Sequence, residues 1–316
     1  MVNLEDIKKA REEIGDIIHK TPLLSSELLN ARAGRRIFLK AEHLQKTGSF
    51  KIRGAVNAVK HAVRNGAEFI TAASSGNHGQ AVACIAGKLG IPAVIVVPQD
   101  ANRAKVAAIE AYGGKVEYCG FTSSDRIPRA MQLAAENSGV YIPPYDHPHI
   151  IAGQGTIGLE ILEQLPEVDV IVVPVGGGGL ISGILTAVKA IKPEVRIVGV
   201  EPETGNDTQL SLKSGKITSV SGNFSIADGL RTSQPGELTF PILQKQLDDL
   251  VVVTEEEIKS ALQFIIERTK QLIEPSAAVT VAAILAGKAG GQDERIVAVL
   301  SGGNIDLLEL RSCLPE

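Results

Sequence analysis

The sequence contains no tryptophan and only 7 phenylalanines and 4 tyrosines among 316 residues. An aromatic stripe that could stack bases is therefore missing. No basic block replaces it, because 32 Lys and Arg are outweighed by 36 Asp and Glu for a net charge of −4. Nucleic acid is thus excluded as the natural partner. Cysteine is also scarce. Cys84, Cys119 and Cys313 are odd in number, far apart and without a CxxC pair. That argues against a disulfide framework or a zinc knuckle and fits thiols in a reducing cytosol. The N-terminus is charged and has no apolar core of the signal-peptide kind. One stretch, 170–188, carries no charge, but Pro174 and a run of glycines divide it into a strand and a helix. It is not expected to span a membrane.

What is present is aliphatic and rich in glycine. The hydrophobic share is 44%, carried by Val/Ile runs that exclude a disordered chain, and glycine numbers 32. A chain of 316 residues exceeds what one core usually fills, so two lobes are expected. Leu4, Ile7, Ile14, Ile17 and Ile18 share one face of a first helix, which Pro22 stops. Short β-branched runs then alternate with helical patterns. Strands are expected over 37–40, 69–72, 93–97, 116–118, 170–173, 197–200, 250–253 and 296–299. Helices are expected over 51–64, 78–89, 103–111, 126–137, 156–165, 180–191, 255–270, 276–287 and 305–311. This alternation predicts an α/β fold with two open, mostly parallel sheets flanked by helices. A small domain over 64–146 would be inserted into a large one built from 1–63 and 147–316.

Ligands of such sheets gather at the carboxyl ends of the strands. Three of these junctions are rich in small and hydrogen-bonding residues: 69–79, 173–180 and 299–304. Gly176, Gly177, Gly178 and Gly179 precede a helix, so their N–H groups can converge on an anion with the helix dipole behind them. Their spacing is neither GxGxxG nor a Walker loop, which points to the phosphate of a cofactor or substrate; a tight turn without ligand is the alternative. Lys51 falls in the first turn of its helix, where a cation is disfavoured by a few tenths to about 1 kcal/mol. That position lowers a lysine pKa, as a Schiff-base lysine requires, although on spacing alone an ordinary surface lysine is the favoured reading. His147 and His149 form an HxH pair flanked by proline. With no third ligand apparent they read as a loop.

Four motifs occur together: Ser49-Phe50-Lys51, the run Ser74-Ser75-Gly76-Asn77-His78-Gly79-Gln80, the four glycines, and Ser301-Gly302-Gly303-Asn304. In their order and spacing the chain resembles pyridoxal-phosphate enzymes of the tryptophan-synthase-β fold, within the serine racemase and serine/threonine dehydratase group. The resemblance covers about residues 17–310. It implies that Lys51 bonds the cofactor, that Phe50 packs near its ring, and that Gly176, Gly177, Gly178 and Gly179 cradle its phosphate. Asn77 would bond the ring hydroxyl and Ser301 would face the ring nitrogen. Ser74, Ser75, Asn77 and His78 would bind the substrate carboxylate, Ser75 would be a second acid/base, and Arg126 and Thr232 would lie on the substrate side. Glu201, Gly205 and Asp207 match a divalent-cation site for Mg²⁺, Mn²⁺ or Ca²⁺, where the residues alone read as an acidic turn. Lys46, Thr47, Gln80, Lys105, Tyr112 and Glu274 match a nucleotide effector site for ATP.

The activity implied is racemisation of serine, or deamination of L-serine or L-threonine to a 2-oxo acid and ammonia, by a cytoplasmic homodimer. A threo-3-hydroxyaspartate dehydratase is the nearest alternative. A cysteine-synthase-type β-replacement enzyme is further off, because His78 stands where such enzymes usually carry threonine. A non-catalytic cofactor-binding protein would not need Lys51 and Ser75. The sequence ends at Glu316, before the C-terminal regulatory domain of biosynthetic threonine dehydratases, so feedback by isoleucine is not expected.

Overall fold

Ten strands form two sheets in the computed structural model, which describes residues 1–222 and 224–314. The strands are β1 Leu23–Ser25, β2 Arg36–Ala41, β3 Phe69–Ala73, β4 Ala93–Val97, β5 Lys115–Tyr118, β6 Gly139–Tyr141, β7 Val170–Pro174, β8 Arg196–Pro202, β9 Asp249–Val253 and β10 Arg295–Leu300. The larger sheet runs β1-β2-β10-β7-β8-β9 and the smaller β5-β4-β3-β6. Every pair is parallel except β1–β2. This is the α/β arrangement that the alternating pattern predicts. Parallel strands need helical crossovers, and crossovers cover both faces.

Strand β7 shows the consequence. All its residues are buried, and successive side chains enter opposite layers. Val170 and Val172 join a cluster with Ala278 and Val281 of helix Pro275–Leu285. Ile171 and Val173 pack instead with Ile181 and Leu185 of helix Gly179–Ile191. The charge-free stretch is therefore a buried strand and a buried helix. Among the described residues no helix is long and apolar enough to cross a membrane.

The structure departs from the sequence reading in several places. Strands β1 and β6 have three residues each, too few for a periodicity to register. Helices Glu27–Ala33, Asp207–Ser214 and Thr239–Gln246 were not expected either. Helix 126–137 begins earlier, as Ser123–Glu136. Helix 255–270 is α only to Phe264 and continues as a π turn, Ile265–Thr269.

The largest departure is helix Pro148–Gln164, expected to start at 156. His147 is its N-cap and its ring nitrogen accepts from the N–H of His149 at 3.3 Å, so the HxH pair opens a helix and does not lie in a loop. Pro148 is tolerated because a first-turn residue has no N–H partner to lose. Its glycines let it approach its neighbours. A Cβ on Gly155 would lie 2.8 Å from the Gly183 carbonyl, and one on Gly153 would lie 2.6 Å from the Arg53 carbonyl.

Candidate active site

The carboxyl ends of β3, β7 and β10 open on one cavity of about 1020 Å³ between the two sheets. It is lined by Phe50, Lys51, Ser74, Ser75, Gly76, Asn77, His78, Gly176, Gly177, Gly178, Gly179, Arg126, Thr232 and Ser301. Four motifs separated by up to 250 residues of chain thus face one space.

Lys51 is the first residue of helix Lys51–Arg64, which carries no side-chain cap and no acid in its first turn. Its Nζ donates to the Pro144 carbonyl at 2.8 Å and lies 5.1 Å from the centre of the Phe50 ring. Burial disfavours the ammonium and pulls the amine down to about 8, against a partly opposing attraction from Glu274. The turn before Lys51 is held by backbone contacts: the Phe50 N–H donates to the Ser301 carbonyl at 3.0 Å, and the Gly303 N–H to the Gly48 carbonyl at 2.9 Å. The Ser-Gly-Gly-Asn segment is in this way a clasp on the lysine turn.

The loop after β3 leads into helix Asn77–Leu89, whose first N–H groups have no helical partner. Both Asn77 and His78 lie in that first turn. The Asn77 amide donates to Glu274 at 2.9 and 3.0 Å, and its oxygen accepts from Asn304 at 2.8 Å. Burial and the charge of Asp228 push the Glu274 carboxyl up to about 7. The His78 ring turns away, to the Ile142 carbonyl at 2.8 Å. Burial and nearby Lys51 drop its pKa to about 3, so it is neutral. What His78 can offer a carboxylate is its backbone N–H at a helix N-terminus and not an imidazolium.

Gly178 has φ +88°, open to glycine at little cost, and begins the turn into helix Gly179–Ile191. A Cβ on Gly177 would lie 2.4 Å from the Tyr145 ring. Among the described residues, none of the N–H groups of the four glycines donates to a loop or turn of the chain. A bare concave backbone, a dipole and unspent donors together fit a phosphate group. With Lys51 at the far side, the residues present fit pyridoxal phosphate.

Glu201 is the penultimate residue of β8, and its two oxygens accept from the N–H groups of Thr208 and Gln209 at 3.0 and 2.9 Å. Asp207 Oδ2 is buried without a partner, while Thr232 lies 3.5 Å from Oδ1. Burial pushes both carboxyls up, Glu201 to about 8, aided by the charge of Asp207, and Asp207 to about 7. Gly205, itself buried, lies between them at the end of a 3₁₀ turn whose Glu203 and Thr204 are exposed. Among the described residues no group of three or more His, Cys, Asp or Glu side chains is placed to hold a metal, so a cation here needs carbonyl or water ligands as well.

The six positions matched to an effector do not form a plain surface patch. Gln80, Lys105 and Glu274 line the same cavity as Lys51, and Lys105 pairs with Asp228. Thr47 is buried with its hydroxyl unpartnered, and the Tyr112 hydroxyl reaches the Lys46 carbonyl at 3.4 Å. Sequence reasoning missed Pro144, Tyr145, Asp146 and Thr239, which hold Lys51 and the glycine turn. The first three lie in the proline-rich loop 142–149, whose composition was their only signal, and Thr239 had none. It also missed Arg53, which ties the lysine helix to Glu42 and Glu160 in the interior.

Known proteins share this arrangement. The chain is 46% identical to human serine racemase, over 97% of this chain and 92% of that protein. It is 44% identical to the L-threonine ammonia-lyase of Thermotoga maritima, over 97% of this chain and 77% of that one. Identity to the L-threo-3-hydroxyaspartate ammonia-lyase of Saccharomyces cerevisiae is 43%, covering 96% and 93%. The solved structure of maize serine racemase superposes with a TM-score of 0.94 at 38% identity, covering 98% and 96%. The family model described as pyridoxal-phosphate dependent enzyme matches residues 14–302. A chain with these motifs on one cavity and these relatives along nearly its whole length belongs to the pyridoxal-phosphate-dependent enzymes.

Proposed function

We propose that this enzyme removes the α-proton of small β-hydroxy amino acids, racemising serine or deaminating L-serine or L-threonine to a 2-oxo acid and ammonia. The observation that carries this reading is the amine of Lys51, lowered to about 8, facing the serine loop and the four-glycine turn across one cavity. Gly176, Gly177, Gly178 and Gly179 would hold the cofactor phosphate, Asn77 its ring hydroxyl and Ser301 its ring nitrogen. When bound, pyridoxal phosphate supplies the electron sink for the α-carbanion. The chain supplies placement and proton transfer. The first-turn N–H groups of Asn77 and His78, with Ser74, would orient the substrate carboxylate. Lys51 Nζ would take or return the α-proton on one face and Ser75 Oγ on the other. Racemisation needs both groups, whereas loss of the β-hydroxyl needs only one.

A second reading has its own support. The buried Nε of Arg126 is unpartnered on the cavity wall. A guanidinium so placed suits a second carboxylate, as threo-3-hydroxyaspartate carries. We further propose a divalent cation at Glu201, Gly205 and Asp207, an ATP effect through Lys46, Thr47, Gln80, Lys105, Tyr112 and Glu274, and a cytoplasmic homodimer.

The decisive experiment offers L-serine, D-serine, L-threonine and threo-3-hydroxyaspartate to the enzyme, with and without Mg²⁺ and ATP, with chiral product analysis. The purified protein is expected to be yellow, and borohydride to fix the cofactor on Lys51. Ser75→Ala should abolish racemisation and spare part of the elimination from D-serine. A colourless protein that takes up no pyridoxal phosphate sinks the reading, and equal loss of every activity in Ser75→Ala sinks the two-base scheme. Sedimentation tests the dimer.

A further inference from the structure

The loop between β6 and helix Pro148–Gln164 touches three parts of the cavity through consecutive residues. The Pro144 carbonyl holds Lys51 Nζ. The Tyr145 ring covers Gly177. Asp146, which also lines the cavity, binds the segment that opens helix Thr239–Gln246.

There the Asp146 carboxylate collects three backbone donors. Its Oδ2 accepts from the Glu237 N–H at 2.9 Å, and its Oδ1 from Leu238 and Thr239 at 2.9 and 3.2 Å. These are the unsatisfied donors that open a helix, and a carboxylate is the group best suited to them by charge and by hydrogen bonding. The fit is close, since a Cβ on Gly236 would lie 2.2 Å from Asp146 Oδ1. Helix Thr239–Gln246 has no side-chain cap of its own. Asp146 does that work from 91 residues away in sequence.

What is set in place is Thr239. This fully buried hydroxyl donates to the Gly177 carbonyl at 2.8 Å, and it accepts from the Gly236 N–H at 2.9 Å. The Gly236 N–H also reaches the Gly177 carbonyl at 3.3 Å. A Cβ on Gly178 would meet the Thr239 hydroxyl at 2.8 Å, so the two segments are in contact. Holding a peptide carbonyl on one side aims the N–H of the same peptide plane to the other, because the unit is rigid. The plane of the Gly177 carbonyl carries the N–H of Gly178, in the turn proposed for the phosphate.

We infer that Asp146 is a positioning residue for the cofactor phosphate, acting through Thr239 and the Gly177 carbonyl to aim the N–H of Gly178 in the glycine turn. The inference rests on the proposed role of that turn. It differs from it in assigning part of the phosphate affinity to a carboxylate on the cavity wall that acts through a second residue, Thr239.

The test compares two ligands of the apoenzyme, pyridoxal phosphate and pyridoxal, which lacks only the phosphate, with dissociation constants read from absorbance or fluorescence. Wild type should bind the phosphorylated form far more tightly. A wild type indifferent to the phosphate refutes the role of the turn itself. Asp146→Ala should weaken pyridoxal phosphate about tenfold or more, of the order of a lost helix cap, and change pyridoxal less than twofold. Asp146→Asn keeps the shape and one acceptor and should fall between. Thr239→Val should give the same phosphate-specific loss, Thr239→Ser should restore it, and the Asp146→Ala/Thr239→Val pair should be no worse than the poorer single variant. Equal weakening of both ligands, multiplied losses in the pair, or unchanged phosphate preference in Asp146→Ala each overturns the inference while leaving the phosphate turn intact. Failure of both Asp146 variants to fold overturns it as well, since the residue would then serve stability.

Discussion

Replacing Arg53 by methionine tests whether the lysine helix is anchored by charge. Arg53 is fully buried and binds two carboxylates at once. Its Nε and Nη2 donate to Glu42 at 2.8 Å each, and its Nη1 and Nη2 donate to Glu160 at 2.7 and 2.9 Å. Lys40 completes the set, with its Nζ 2.5 Å from Glu160. Two cations thus balance two anions in the interior. Arg53→Met keeps the volume and leaves one buried negative charge uncompensated. Loss of one partner from such a network costs about 3–5 kcal/mol.

The pH dependence separates this cause from simple loss of packing. In the wild type, burial would raise Glu42, but Arg53 and Lys40 more than offset it and hold the carboxyl below its ordinary 4.5. Its stabilisation is therefore present above about pH 4.5 and lost as pH falls through the depressed value. Without Arg53, burial dominates and raises the Glu42 pKa. The folded variant then keeps a proton that the unfolded chain has released. Its stability falls as pH rises, by up to about 1.4 kcal/mol per unit. Urea denaturation of the apoprotein at about pH 5, 6.5 and 8 should show a gap from wild type that is widest at pH 8 and narrows toward pH 5. A gap below about 1 kcal/mol at pH 8, or one independent of pH, refutes the reasoning. Arg53→Met/Glu42→Gln, which restores neutrality, should recover part of the loss.

Two further outcomes follow from the carboxyls and amine of the site. With Lys51 lowered to about 8, covalent capture of pyridoxal phosphate by the apoenzyme should speed up about tenfold per pH unit below 8 and level off above it. Stopped-flow absorbance reads this, and a profile still rising past pH 10 would show an unperturbed lysine. Glu201 and Asp207, raised to about 8 and 7, hold protons in the folded state that the unfolded chain releases, so stability declines as pH rises through those values. Mg²⁺ would replace the protons, and should therefore raise the melting temperature more at about pH 8.5 than at pH 6. Equal shifts, or shifts that survive Glu201→Gln/Asp207→Asn, would remove the cation from this site.

The sequence by itself determined the class of fold and the motifs of the cavity. Both are written in short windows: β-branched runs with helical periods between them, and small residues at strand ends. Lys51 and the four glycines were legible because their chemistry is unusual for their local position, whereas Asn77 and Ser301 were legible only through the resemblance of their motifs to a known family. Only the tertiary structure decided what holds them. Arg53 and Glu160 are 107 residues apart, and Asp146 and Thr239 are 93 apart. No periodicity links such pairs; they meet because strand order brings their elements together. Helix Pro148–Gln164 misled the local reading for the same reason. Its glycines weaken a helix in isolation, yet they allow the close contact with Gly183 and Arg53 that packing rewards. Short-range propensity could place the reacting groups on their elements, whereas their orientation depends on contacts between residues distant in the chain.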